Sequence, residues 1–253
     1  MTDIQHLIRP DGERLAWRRT EGDGPTVLWI GGFRSDMDGT KALHLEAEAR
    51  ARGWAYVRYD HFAHGASSGD WRQATIGRWR DDAIALIDAL EGPVLIVGSS
   101  MGGWIALLAA LARPRRVSGL VLIAPAPDFT ERLMWPGLDD HLRQAILRDG
   151  EALFSDPGGL GDYVLTRAMF AEARENWLLL DRPIPVSAPV HILQGKRDEP
   201  VPWRHALSLV ERLEGGDVIL DLIQDGDHRL SRPQDLDRLT GAVRSMREAG
   251  PPV

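Results

Sequence analysis

The apolar run Pro93-Val94-Leu95-Ile96-Val97 stops at Gly98-Ser99-Ser100-Met101-Gly102, and the helix-forming run Trp104-Ile105-Ala106-Leu107-Leu108-Ala109-Ala110 follows almost at once. A strand that must become a helix within so few residues needs a sharp turn. Glycines at 98 and 102 suit such a turn, because a Cβ at either place would collide with the packed flanking chains. Strand, G-x-S-x-G and helix together form a nucleophile elbow, which lifts a serine above the sheet edge. Of the two adjacent serines, only Ser100 has glycines at both −2 and +2. The amide of Met101 then opens a helix and points toward the same spot.

Strand and helix patterns alternate on both sides of this turn. Residues 4–20 read as a hairpin turning at Asp11-Gly12, a pair that favours a type I′ turn. Helical patterns over 40–52, 76–90 and 103–112 precede strands at 55–59, 94–97 and 117–124, which predicts a mainly parallel sheet of about eight strands with helices on both faces. The alternation fails over 128–185, where only short helical segments are expected between Pro136, Pro157-Gly158-Gly159 and Pro183, and it resumes at Val186. The expected organisation is a core from 1–127 and 186–253, with 128–185 inserted as a small helical cap over the C-terminal edge of the sheet, where ligands bind in open α/β folds. At 253 residues and 43% hydrophobic content, the chain suffices for one large domain.

Two downstream strands supply partners for Ser100. Val190-His191-Ile192-Leu193 ends in Gly195-Lys196-Arg197-Asp198, and Val218–Ile223 ends in Gly226-Asp227-His228. Nucleophile, acid and base thus run Ser, Asp, His, the α/β-hydrolase order. A serine hydroxyl is a weak nucleophile, so His228 must take its proton and return it to the leaving group. Asp198 would hold the imidazole tautomer and stabilise the imidazolium. Upstream, Val27-Leu28-Trp29-Ile30 runs into Gly31-Gly32-Phe33, and the loop after that strand supplies the second oxyanion donor, assigned to Phe33 beside Met101. This chemistry requires no metal or organic cofactor. Glu199 competes with Asp198 for the acid, but the carboxylate nearest the strand is preferred; Asp227, adjacent to His228, suits a loop cap instead. In the cap, Phe129, Leu133 and Phe170 are candidates to line an acyl pocket, while most of its large side chains are expected to be core.

A net charge of −7 argues against nucleic acid as a partner, and the absence of cysteine excludes disulfides and thiolate chemistry. No apolar stretch approaches the length of a membrane span, and the first residues lack a signal-peptide pattern, so a cytoplasmic protein is expected. Asp60, His61 and His64 form a D-H-x-x-H cluster that could bind a metal, though no further ligand at suitable spacing is apparent.

The chain resembles the branch of the α/β-hydrolase superfamily that holds the mitochondrial palmitoyl-protein thioesterase, also an acyl-glucuronide esterase, and its bacterial relatives. The resemblance rests on Gly32–Leu43, Ile76–Asp82, Gly98–Trp104, Pro183–Val186, Asp198 with Val201-Pro202-Trp203, and Asp227-His228-Arg229. It implies a catalytic triad of Ser100, Asp198 and His228, and it places Asp60–Ser67 at a structural loop beside the site. Together these features predict a serine hydrolase that cleaves small-molecule carboxylic esters or acyl thioesters through an acyl-enzyme on Ser100. C–C bond hydrolysis or cofactor-free haloperoxidation on the same residues, and a non-catalytic ligand receptor, are the alternatives. Acyl length, leaving group and oligomeric state stay open.

Overall fold

The computed structural model describes residues 3–155 and 161–249. Strands β1 (Gln5–Ile8) and β2 (Arg14–Thr20) form the expected antiparallel hairpin. Its turn is not type I′. Gly12 has a φ of 88° whereas Asp11 is not among the positive-φ residues, and the N–H of Arg9 donates to the carbonyl of Glu13 at 2.8 Å to close a five-residue loop. An ordinary turn over Arg9–Gly12, closed by the Gly12 N–H on the Arg9 carbonyl at 2.9 Å, replaces the two left-handed residues that type I′ requires.

The chain continues through β3 (Asp23–Ile30), α1 (Thr40–Arg52), β4 (Trp54–Tyr59), α2 (Ile76–Ala89), β5 (Val94–Ser99), α3 (Met101–Ala112) and β6 (Val117–Ile123). An excursion then holds a π-helical turn over Thr130–Met134, α4 (Trp135–Gly137), α5 (Asp140–Asp149), β7 (Glu151–Ser155), β8 (Asp162–Thr166) and α6 (Arg167–Asn176). The core resumes with β9 (Val190–Gly195), α7 (Trp203–Arg212), β10 (Val218–Ile223) and α8 (Pro233–Ala249). Eight strands form one sheet in the order β1-β2-β4-β3-β5-β6-β9-β10. Pairing is antiparallel at β1–β2 and β2–β4 and parallel from β4 onward.

The two-residue period of a strand sorts side chains between two cores. In β3, Val27 and Trp29 face Leu45 of α1 and Leu239 and Val243 of α8. Leu28 and Ile30 face the opposite core, with Trp79 of α2 and Trp104 and Leu107 of α3. Central strands covered on both sides must be apolar throughout, and β5 and β6 are buried along their whole length. Helix α3 packs against β5, β6 and α2, and its residues from Met101 to Ala110 are all buried, which accounts for a sequence with almost no polar side chain.

The inserted segment differs from an all-helical expectation. β7 and β8 pair as an antiparallel hairpin, with Leu153 opposite Val164 and Phe154 opposite Tyr163. Tyr163 and Leu165 turn inward while Leu153 lies exposed, an alternation carried by too few residues to outweigh the helical segments on either side. Pro157-Gly158-Gly159, read as a helix break, lies outside the described residues. The base of the insertion is closed by Asp128. Its fully buried carboxylate accepts the N–H groups of Leu179 and Leu180 at 2.8 Å each, tying the start of the excursion to its return.

Candidate active site

Ser100 stands at the junction of β5 and α3 with φ 55° and ψ −119°, a conformation that side-chain-bearing residues rarely adopt. The surrounding backbone holds it there. Its N–H donates to the Ile123 carbonyl at 2.9 Å, and its carbonyl accepts from Gly103 and Ala126. The flanking glycines are required by contact: a Cβ on Gly98 would lie 2.4 Å from the Gly102 oxygen, and one on Gly102 would lie 2.1 Å from the Ile30 oxygen.

Asp198 follows β9 and is buried, whereas Glu199 beside it is exposed. One Asp198 oxygen accepts the Val201 N–H at 2.7 Å; the other accepts Gln194 Nε2 at 3.0 Å and His228 Nδ1 at 2.8 Å. A carboxylate only accepts, so Nδ1 carries a proton, which in the neutral ring leaves the lone pair on Nε2. That lone pair faces Ser100 Oγ at 3.2 Å. Three residues 30 and 128 positions apart along the chain thus form one continuous line of hydrogen bonds. Asp227 takes no part in it: its carboxylate caps the local turn by accepting the Leu230 N–H at 2.9 Å.

The loop after β3 passes directly over the serine. A Cβ on Gly32 would lie 3.3 Å from the Ser99 oxygen and 3.4 Å from the Ser100 Cβ, so glycine permits this approach. Among the described residues neither the Phe33 nor the Met101 backbone N–H is given to another backbone acceptor. The Phe33 ring is held by Trp71, Trp79, Phe129 and Tyr163, at centroid separations of 5.3–5.9 Å.

Ser100, Met101, Phe33 and His228 open onto one cavity of about 870 Å³. Its apolar lining includes Phe129, Leu133, Met134, Leu138 and Phe154, and its polar lining includes Ser35, Asp36, Lys41, Arg229 and Ser231. Of the proposed pocket residues, Phe129 and Leu133 line this space. Phe170 does not: it is buried and packs edge-on against Trp135 at 4.9 Å, because its place on α6 turns it into the core of the insertion. Trp104 is core, donating its indole N–H to the Trp177 carbonyl at 3.1 Å. Burial pushes the Lys41 ammonium down to about 8, and its Nζ donates to the carbonyl of Arg229, next to His228.

One residue of the site, Gln194, was not legible as such in the sequence. Gln194 is fully buried and links the Asp198 carboxylate to the Gly195 and Val201 carbonyls; a glutamine closing the apolar run of β9 was the available signal. Asp60, His61 and His64 turn to backbone rather than to one another, with His61 Nδ1 buried and left without a hydrogen-bond partner among the described residues. Asp60 accepts from Met37 and Ala66, His61 Nε2 meets the Gly31 carbonyl, and His64 bridges Phe62 and Arg34.

Residues 27–147 match the Hydrolase_4 family, described as serine aminopeptidase, S33. The chain is 37% identical over 245 residues to the mitochondrial palmitoyl-protein thioesterase ABHD10 of Bos taurus, covering 96% of this chain and 79% of that one. The chain is an α/β-hydrolase of the ABHD10 family. The crystal structure of a hydrolase from Agrobacterium vitis S4 superposes on it with a TM-score of 0.90 at 42% identity, covering 98% of each chain. Mouse ABHD10 superposes with a TM-score of 0.89 at 34% identity over 98% of this chain and 99% of that one. The ABHD10-family chain is therefore a hydrolase of the esterase type with thioesterase relatives. Among its described residues no helix is long and apolar enough to cross a membrane.

Proposed function

We propose that this hydrolase cleaves carboxylic esters or acyl thioesters through an acyl-enzyme on Ser100, with His228 as general base and Asp198 as its orienting partner. The observation that carries this reading is the line of hydrogen bonds from Ser100 Oγ through His228 to a buried Asp198, with Ser100 and His228 lining a largely apolar cavity. Attack by Oγ on the acyl carbonyl delivers the serine proton to Nε2. Asp198 stabilises the resulting imidazolium without becoming protonated itself. The N–H groups of Phe33 and Met101 receive the oxygen as it gains charge, a contribution of about 2.7–4 kcal/mol per donor. His228 then gives its proton to the departing alkoxide or thiolate. Water, deprotonated by the same ring, releases the acid in the second half-reaction.

The insertion supports an acyl site. Phe129, Leu133, Met134 and Phe154 can surround an alkyl chain, and a cavity of this size lies within the range of about 300–1,000 Å³ common to small-molecule sites. The relatives named palmitoyl-protein thioesterases point to long acyl chains and a sulfur leaving group. The test is kcat/KM for p-nitrophenyl esters from two to sixteen carbons, with Ser100→Ala as control. A peak at eight or more carbons, abolished in Ser100→Ala, is the expected result. A peak at two to four carbons would overturn the long-acyl reading, and undiminished turnover by Ser100→Ala would overturn the mechanism.

A further inference from the structure

The residues that first suggested a metal site have another use. The loop that presents Phe33 is an unusual piece of chain: Arg34, the next residue, has φ 57°, a left-handed conformation that a non-glycine residue holds only where its surroundings impose it. The contact that imposes it comes from His64. Nε2 of this ring lies 3.0 Å from the Arg34 nitrogen, and Nδ1 lies 3.0 Å from the Phe62 oxygen. A carbonyl can only accept and an amide N–H can only donate, so both partners dictate the same state of the ring: hydrogen on Nδ1, lone pair on Nε2.

We propose that His64 is a positioning residue for the oxyanion loop, its neutral imidazole accepting the Arg34 N–H and so fixing the peptide chain that carries the Phe33 donor. This rests on the serine-hydrolase reading above. The ring is itself well anchored. The Phe62 carbonyl also accepts Trp79 Nε1 at 3.1 Å, and the Phe62 N–H donates to the buried Asp82 at 2.7 Å. Trp71 and Trp79 flank the imidazole at 5.4 Å each, and the same two indoles grip the Phe33 ring. Backbone and side chain of the donor loop therefore share one support. His61 meets the Gly31 carbonyl at 3.3 Å on the other side of Phe33, so the loop is held at both ends. Burial, together with the nearby Arg34 charge, keeps His64 below the ordinary histidine range; burial holds His61 down to about 3. A charged ring would lose the lone pair that Arg34 needs.

Two conservative substitutions separate positioning from mere filling. His64→Gln keeps an acceptor near the place of Nε2, whereas His64→Asn can reach Phe62 but not Arg34. In His64→Asn, kcat for the best p-nitrophenyl ester should fall about 10- to 100-fold with KM within about twofold. The inhibition constant of an alkyl trifluoromethyl ketone, whose serine adduct places an oxyanion in the hole, should weaken in step with kcat. His64→Gln should recover most of both losses. A folded His64→Asn whose kcat and inhibition constant match the wild type would overturn the proposal, as would equal losses in the two variants. If Ser100→Ala keeps its turnover, or the ketone does not inhibit the wild-type protein, the hydrolase reading fails and takes this one with it. Should His64→Asn not fold, nitrogen-15 NMR of the wild-type histidines decides: the proposal requires a proton on Nδ1 and none on Nε2, and a proton on Nε2 overturns it.

Discussion

Replacing Ser100 with glycine should destroy turnover and yet stabilise the fold. Ser100 sits at φ 55°, ψ −119°, where a Cβ is strained against its own backbone. Such a residue costs about 1–3 kcal/mol, and glycine there costs nothing sterically. Against that relief stands the greater freedom of glycine in the unfolded chain, about 0.4–1 kcal/mol. Ser100→Ala is the proper reference, since it loses the same hydroxyl and the same contact to His228 but retains the strained Cβ. The difference between Ser100→Gly and Ser100→Ala is then about 1 kcal/mol in favour of glycine. For a chain of this length that is about 2–4 °C in Tm. Calorimetry of the two variants under one buffer, supported by urea denaturation midpoints, makes the comparison. A glycine variant melting at or below the alanine variant would refute the claim that the elbow stores strain at this residue.

Asp198→Asn leaves a neutral amide beside His228 Nδ1 and should lower kcat about 10⁴-fold, while Glu199→Gln, on the neighbouring exposed side chain, should leave kcat within about twofold; steady-state kinetics of both variants distinguish the two carboxylates. Asp82 is pushed up to about 7 by burial, and Arg9 Nε, 3.7 Å away, is too distant to offset this with a hydrogen bond. A carboxyl whose folded value is raised contributes stability below its unfolded value near 3.8 and loses it as pH climbs to about 7, here on the order of 4 kcal/mol. Asp82→Asn can still accept the Phe62 N–H, so it should melt several degrees above the wild type at pH 8 and lose less stability between pH 4 and 7; identical pH profiles would count against it. Leu133→Trp fills part of the cavity wall and should move the best p-nitrophenyl ester to a chain shorter by about two or more carbons, because each methylene in an apolar site is worth about 1–3 kcal/mol. An unchanged length preference would place the acyl chain elsewhere.

The parts of this molecule that could be read from its sequence are those with local causes. β5 can turn into α3 at Ser100 only because Gly98 and Gly102 let the flanking backbone close in, and the apolar runs of β3, β5 and β6 report their burial on both faces. That Ser100, Asp198 and His228 come together could be expected because each follows a recognisable strand, and the structure joins them by hydrogen bonds. What escaped depends on partners far along the chain. The pairing of β7 with β8 rests on five-residue strands with weak patterns. Phe170 and Phe129 are both buried aromatic residues of the insertion, and only packing decides that one lines the cavity and the other does not. The loop of His64 could be placed beside the site, but its partner could not, because nothing local shows that Arg34, 30 residues earlier, presents an N–H to it.

The most direct test of the account is to trap the covalent intermediate. The protein is mixed with an alkyl fluorophosphonate and, separately, with a slowly deacylating p-nitrophenyl ester, then analysed as intact mass and as peptides. The account predicts one adduct per chain, on Ser100 within the peptide that spans Gly98–Gly102, with loss of turnover in proportion to labelling and no adduct in Ser100→Ala. Ester turnover that survives complete labelling of Ser100, or an adduct on any other residue that tracks the loss of activity, would contradict it.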